Sequence, residues 1–257
     1  MRHLFIPDTQ VKQGVAIDHL EALGNYIVDK QPEVIVHIGD HFDMPSLSSY
    51  EKPGSKYFHD QSYSDDIESG LIGMETLLGP IERYNRKRKK QKLKKYKPRM
   101  IFCLGNHENR VDRAAYAQPV LEGTISKADF KLEESGWEVY PFLKIAEVDD
   151  ILYSHYFVNT NSLMKNVIAG TVDNKLLKVG QSFSMGHQQQ LQYGIRYLNN
   201  GRSIRGLVAG AFYQQDEVYL GEQGNHYWRG VIMKNEVHKG EYDPMFISIN
   251  YLREKWL

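Results

Sequence analysis

Val34-Ile35-Val36-His37-Ile38-Gly39-Asp40-His41-Phe42-Asp43 joins a short β-branched run directly to a Gly-Asp pair, the pattern of a buried strand that stops in a functional loop. Leu4-Phe5-Ile6 repeats the pattern and stops at Pro7-Asp8-Thr9-Gln10. Between the two, Ile17, Leu20, Leu23, Ile27 and Val28 recur at three- and four-residue spacing, which puts them on one side of a helix. A strand, helix, strand unit of this kind makes a parallel sheet with a right-handed crossover, and ligands gather at the carboxyl ends of its strands. Asp8 and Asp40 fall at those ends.

Working outward, Met100 to Leu104 is a third apolar run, ending in Gly105-Asn106-His107-Glu108. The residues before it divide in two. Positions 44 to 66, rich in Pro, Ser, Gly, Tyr and Asp without periodicity, read as a long surface loop. Asp65 to Lys97 carries Ile67, Leu71, Met74, Leu77, Leu78 and Ile81 in helical register, then turns almost wholly cationic, so a helix is expected whose end projects into solvent. A further helix is expected from after Asn109 to Ala117, stopping ahead of Pro119. The second half reads as strands at Val139 to Ile145, Ile151 to Ser154, Phe183 to Met185, Ile204 to Val208, Trp228 to Met233 and Met245 to Ile249, with one helix near Leu163 to Lys178. The expected fold is α/β: a four-layer α/β/β/α sandwich of two facing mixed sheets, each half of the chain supplying its own sheet. The whole of 1–257 forms one domain on this reading, with an insertion at about 44–98.

Composition bounds the function. With 257 residues, 41% hydrophobic and 25% charged, the chain has the make-up of an ordinary globule rather than a disordered one. No long apolar leader and no membrane-spanning run is seen, so a cytoplasmic protein that does not engage membranes is expected. Cys103, the single cysteine, sits in an apolar strand and reads as a buried thiol. The net charge of zero hides an asymmetry: Arg83 to Arg99 holds eleven Lys or Arg and no acid, and the remaining residues are strongly acidic.

Five strand ends carry polar clusters: Asp8-Thr9-Gln10, Gly39 to Asp43, Gly105 to Glu108, Ser154-His155 and Gly186-His187-Gln188-Gln189. Carboxylate, imidazole and amide oxygen are metal ligands. Two cations about 3.5 to 4 Å apart neutralise a phosphate and lower the pKa of bound water to about 7. The ordered set resembles the calcineurin-like metallophosphoesterases, with their Asp-x-His, Gly-Asp-x-x-Asp, Gly-Asn-His-Asp/Glu, lone His and Gly-His-x-His. The resemblance spans nearly the whole chain and implies the metallophosphoesterase fold. It implies further that Asp40 bridges two metals, that Asn106, His155 and His187 complete one site, and that Asp8, Gln10 and Gln189 serve the other. The family's histidines are replaced at Gln10 and Gln189. A neutral amide oxygen is a harder, weaker donor than imidazole, so two divalent ions are expected with Mn2+ favoured over Mg2+, Fe or Zn2+. His107 takes the family's general-acid position and Asp43 its orienting carboxylate.

Other residues have two readings. Arg110 reaches a substrate phosphate or pairs with an acid such as Glu108. The cationic run, with Arg86, Lys87, Arg88, Lys89 and Lys90 at its heart, binds DNA or RNA beside the metal rim or is a solvated helix end. His3, His19, His37, His59, His226 and His238 read as structural or surface residues, and His41, at a variable motif position, as no ligand. The expected activity is hydrolysis of a phosphodiester in nucleic acid or a nucleotide; a phosphomonoesterase and a non-catalytic scaffold of the same fold are the other readings. The oligomeric state has no sequence signal.

Overall fold

The computed structural model describes residues 1–48, 62–161, 166–217 and 220–257. Most of the loop expected over 44–66, with Tyr50, Tyr57 and His59, lies outside the described residues, as does the start of the helix expected near Leu163. The elements in chain order are β1 (His3–Ile6), α1 (Asp18–Lys30), β2 (Val34–His37), α2 (Tyr63–Lys90), β3 (Arg99–Cys103), α3 (Arg110–Ala117), β4 (Glu138–Tyr140), β5 (Ala146–Val148), β6 (Ile151–Tyr153), α4 (Val172–Val179), β7 (Ser182–Met185), β8 (Gln192–Tyr197), β9 (Ser203–Val208), α5 (Gly221–Gly224), β10 (Gly230–His238), β11 (Glu241–Ser248) and α6 (Ile249–Trp256).

The strands form two sheets, β11-β10-β1-β2-β3-β4 and β5-β6-β7-β9-β8. β1 to β4 run parallel, as the first unit requires, and β6, β7 and β9 are parallel in the second sheet. Successive side chains of a strand face opposite ways, and the burial follows that alternation. Leu4, Ile6, Ile35 and Phe102 pack against α1 and α2 through Leu20, Leu23, Ile27, Met74, Leu77 and Ile81. Phe5, Val34, Val36, Ile101 and Cys103 face the other way, onto Ala146, Val148, Ile151, Tyr153 and Leu207 of the second sheet. Phe183, Met185 and Val208 turn outward onto Val172 and Leu176 of α4. Helix, sheet, sheet, helix is therefore the layer order. Cys103 is buried and burial pushes its thiol up to about 12, so it is a core residue.

The sheets do not divide the chain at its middle. β10 and β11, from the last quarter, join the first sheet by antiparallel pairing of β10 with β1 (Leu4 opposite Met233), which corrects the expectation of one sheet per half. The reason is physical: alternation reports which face a strand buries and says nothing about which strand it pairs with. The cationic helix is also shorter than expected, ending at Lys90, after which 91–98 folds back to start β3. Among the described residues, α4 covers Val172–Val179, against the span expected near Leu163 to Lys178. Among the described residues, no helix is long and apolar enough to cross a membrane.

Candidate metal centre

Asp8, Asp40 and Asn106 follow the carboxyl ends of β1, β2 and β3, and His155 and His187 follow β6 and β7. The parallel strands of two facing sheets thus bring five strand ends to one edge of the sandwich. The close approach depends on glycine. A Cβ on Gly105 would collide with Asp40 Oδ1, and one on Gly186 would collide with Asp8 Oδ1.

Ligand atoms of Asp40, His155 and His187 all lie within 4.8 Å of one another. His155 Nδ1 donates to the Ile38 carbonyl at 2.8 Å, which fixes the tautomer and frees Nε2. That Nε2 sits 3.2 Å from Asp40 Oδ2 and 2.8 Å from Asn106 Oδ1. The four groups bracket a common point. Burial opposes a charge on His155, yet Asp40 and Asp8 hold its pKa up at about 10. Burial likewise pushes the Asp8 carboxyl well above its usual range, with Asp40 adding to the effect. Burial would raise Asp40 too, but the neighbouring His107 and His155 bring it well below the ordinary carboxylate range. A buried carboxylate with an amide oxygen and two imidazoles around it, where His155 Nε2 carries a proton that a cation would displace, fits a divalent ion.

The two glutamines differ. Gln10 is buried, and its Oε1 has no hydrogen-bond partner, an orphan oxygen that a cation would satisfy. Gln189 Oε1 already accepts a 3.1 Å hydrogen bond from the Tyr213 hydroxyl, which lies 2.5 Å from that of Tyr227. Asp8 stands beside His187, whose backbone N–H donates to it at 3.1 Å. Three of these residues hold left-handed backbone conformations rare outside glycine: Gln10 at φ 39°, Asp40 at φ 48° and His187 at φ 63°.

His107 and Asp43 meet as the pattern implies. His107 Nδ1 lies 2.6 Å from Asp43 Oδ1, and its Nε2 faces Asp40 Oδ2 at 3.7 Å. Burial works against a charged His107, but Asp40 and Asp43 raise its pKa above the usual histidine value. Asp43 is brought down to about 2: burial would raise it, and its bond to His107 more than offsets that. Arg110 is held beside this pair rather than on an acid. Its Nη1 donates to the carbonyls of Asp43 (2.8 Å) and Met44 (3.1 Å), and Nη2 lies 3.3 Å from His107 Nε2. It does not pair with Glu108, which is fully buried and accepts the N–H groups of Asp40, His41, Phe42 and Gly105.

Sequence reasoning missed two neighbours of this pair. Lys12 Nζ bridges Asp43 Oδ2 (3.0 Å) and Glu217 (2.9 Å). Burial would lower the Lys12 pKa, but the Asp43 and Glu217 carboxylates raise it to about 12. Nothing in spacing signals a partner 205 residues away. His37, expected to be structural or surface, and His41, expected to be no ligand, share the Thr9 hydroxyl at 3.2 and 2.7 Å, and His41 Nε2 reaches the Gly70 carbonyl.

The cationic run is placed at the far end of the molecule. Tyr96 OH donates to the Pro32 carbonyl at 2.6 Å, and Glu33 and Pro98 line one cleft with Arg88, Lys94, Lys95 and Lys97. Glu33 and Pro98 precede β2 and β3, whereas the ligands follow them, so the run lies across the sheet from the metal rim.

No protein-family model matches the chain, and no curated protein matches it. Among solved structures, YfcE, a phosphoesterase from E. coli, is similar with a TM-score of 0.40 and 10% identity, over 97% of this chain and 100% of that one. A second solved structure aligns at a TM-score of 0.37 and 10% identity, over 96% and 99% of the two chains. At such scores the functional reading rests on the residues themselves.

Proposed function

We propose that this chain is a metal-dependent phosphoesterase of the calcineurin-like type, acting on phosphodiesters. The observation that carries the reading is the convergence of Asp40, His155, His187 and Asn106 on one buried point beside the His107–Asp43 pair. Asp40, Asn106, His155 and His187 would hold one divalent ion, and Asp8 and Gln10 with Asp40 a second. Such ions, when bound, neutralise phosphoryl oxygens and acidify water. His107 Nε2 faces this point and would deliver a proton to the leaving oxygen. Asp43 fixes its tautomer, and Arg110 braces the Asp43–Met44 backbone behind it. Gln189, with its oxygen engaged by Tyr213, contributes less than Gln10.

The test is metal analysis of the purified protein together with hydrolysis of bis-p-nitrophenyl phosphate and p-nitrophenyl phosphate. We expect bound Mn2+ or another divalent ion, activity lost to EDTA and restored by Mn2+, and preference for the diester. His107→Ala should lose roughly 100-fold or more in kcat, the usual range for removing a general acid, while still binding metal. Preference for the monoester favours a phosphatase; a metal-free protein indifferent to His107→Ala is a scaffold.

A further inference from the structure

The cationic run is a built surface rather than a frayed helix end. Asn85 clamps it, donating to the Tyr96 carbonyl and accepting the Tyr96 N–H, both at 2.8 Å. Arg88 is spent inside, its Nε on the Lys94 carbonyl and its Nη1 3.2 Å from the Tyr84 hydroxyl. These bonds fold 91–97 back against the last turn of α2. Three of the basic residues have acidic partners: Arg83 with Glu21, Arg86 with Glu82, and Arg99 with Glu138. The seven lysines from Lys87 to Lys97 are exposed and, among the described residues, make no ion pair. Seven like charges fixed close together repel one another, and a ligand with closely spaced negative charges relieves that strain.

The distance from the metal centre is set by α2. Its start is tied to the metal rim, where Asp66 accepts the Ser46 N–H at 2.9 Å and the Gly70 carbonyl meets His41. Twenty residues on, at 1.5 Å each, Lys90 is about 30 Å away. The seven steps from Arg99 to Asn106 give about 23 Å across the sheet. A surface so remote does not touch a phosphate held at the metal centre.

We infer that the basic end formed by Lys87 to Lys97 is a nucleic-acid docking surface separate from the metal centre, so that the preferred substrate is a polynucleotide long enough to reach both. This deepens the phosphoesterase reading and rests on it. Nucleic acid is favoured over an anionic membrane because Leu93 is the one large apolar side chain exposed in this segment, too little to add insertion to charge. At about 3.4 Å per base pair, a duplex needs roughly seven to nine pairs to span the interval.

The decisive protein is the full chain with Lys92→Gln, Lys94→Gln and Lys95→Gln combined, all three solvent-facing. Binding is read by anisotropy of a labelled 30-mer, as DNA or RNA and as single strand or duplex, on the His107→Ala background with Mn2+. We expect affinity at low salt to fall at least tenfold and the slope of log affinity against log salt to flatten by about 2 to 3, as loss of three phosphate contacts requires. In otherwise native protein, KM for a 30-mer should be at least tenfold below that for a 6-mer, and the triple variant should abolish that gap while leaving bis-p-nitrophenyl phosphate turnover unchanged. Unaltered 30-mer binding in the variant, no binding by the parent, or binding only to phosphatidylserine vesicles overturns the inference. Failure of the phosphoesterase reading is distinct: the parent would not hydrolyse the small diester at all.

Discussion

Glu108 and Lys12 show how single side chains hold this centre in shape. Asp40 turns through a left-handed conformation that costs a non-glycine residue about 1 to 3 kcal/mol, and the turn persists because Glu108 accepts the N–H groups of Asp40, His41 and Phe42 behind it. An amide at 108 has one acceptor oxygen and sets N–H against N–H. Glu108→Gln should therefore destabilise by about 2 to 4 kcal/mol, read as a lowered urea midpoint, and should lower metal affinity as Asp40 relaxes. A variant with native midpoint and metal content would show that the turn holds itself. Lys12 acts through Asp43, whose other oxygen orients His107. Lys12→Ala should reduce kcat by roughly 10- to 100-fold, as loss of an outer partner of a site does, with KM little changed, and Lys12→Arg should recover part of it. Equal loss in Lys12→Arg and Lys12→Ala, or a change confined to KM, would rule out positioning.

Elements are held in place by close approaches that motifs do not display. α2 can lie against the metal-rim loop because Gly70 has no side chain: a Cβ there would run into the Phe42 ring, and Gly73 leaves room for Val11 and His41. Gly70→Ala should cost about 1 to 3 kcal/mol through overpacking, visible in thermal melts, and should lower activity because Phe42 belongs to the loop carrying Asp40 and Asp43. The control Gly79→Ala meets only the flexible Arg83 and should be near neutral or stabilising. A Gly70→Ala protein as stable as the control would refute the close approach. β1, β2 and β3 were legible because both their faces are buried, which leaves continuous apolar runs ending at polar residues. β8, with exposed Arg196 and Tyr197 and half-buried Gly194, carries no such signal. The strand expected over Met245 to Ile249 ends one residue early and α6 follows unannounced, because Ser248 switches from strand residue to helix cap within one position. In the same way Asp8, Asp40, Asn106, His155 and His187 each follow a legible strand end, and the family resemblance grouped them, whereas Lys12 with Glu217 depends on a tertiary contact that no local pattern encodes.

At the scale of the whole molecule, the segment after β9 stitches the two sheets to α1. Phe212 N–H donates to the Asp8 carbonyl at 2.8 Å, and the Phe212 carbonyl accepts from His19 Nε2 on α1 at 3.0 Å. Gln214 meets the other ring nitrogen of His19, and Asp18, Arg253 and His41 are the charged or titratable groups facing it. Burial dominates and holds the His19 pKa down at about 4, against 6.5 for the free side chain. The direction of the pH effect follows. Above about pH 6.5 the imidazole is neutral in both folded and unfolded chains and contributes no slope. Between about 6.5 and 4 the unfolded chain takes up a proton that the native one refuses, so acidification costs up to about 3 kcal/mol from this residue. His19→Gln keeps a donor for the Phe212 carbonyl and removes the titration. Urea unfolding at pH 7, 6, 5 and 4.5 should give a shallower fall in stability for the variant than for the parent, with the difference opening only below pH 6.5. Parallel curves across that range would mean that the His19 contact to Phe212 opens before the protein unfolds, and that the stitch between α1 and the metal-bearing edge is local rather than global.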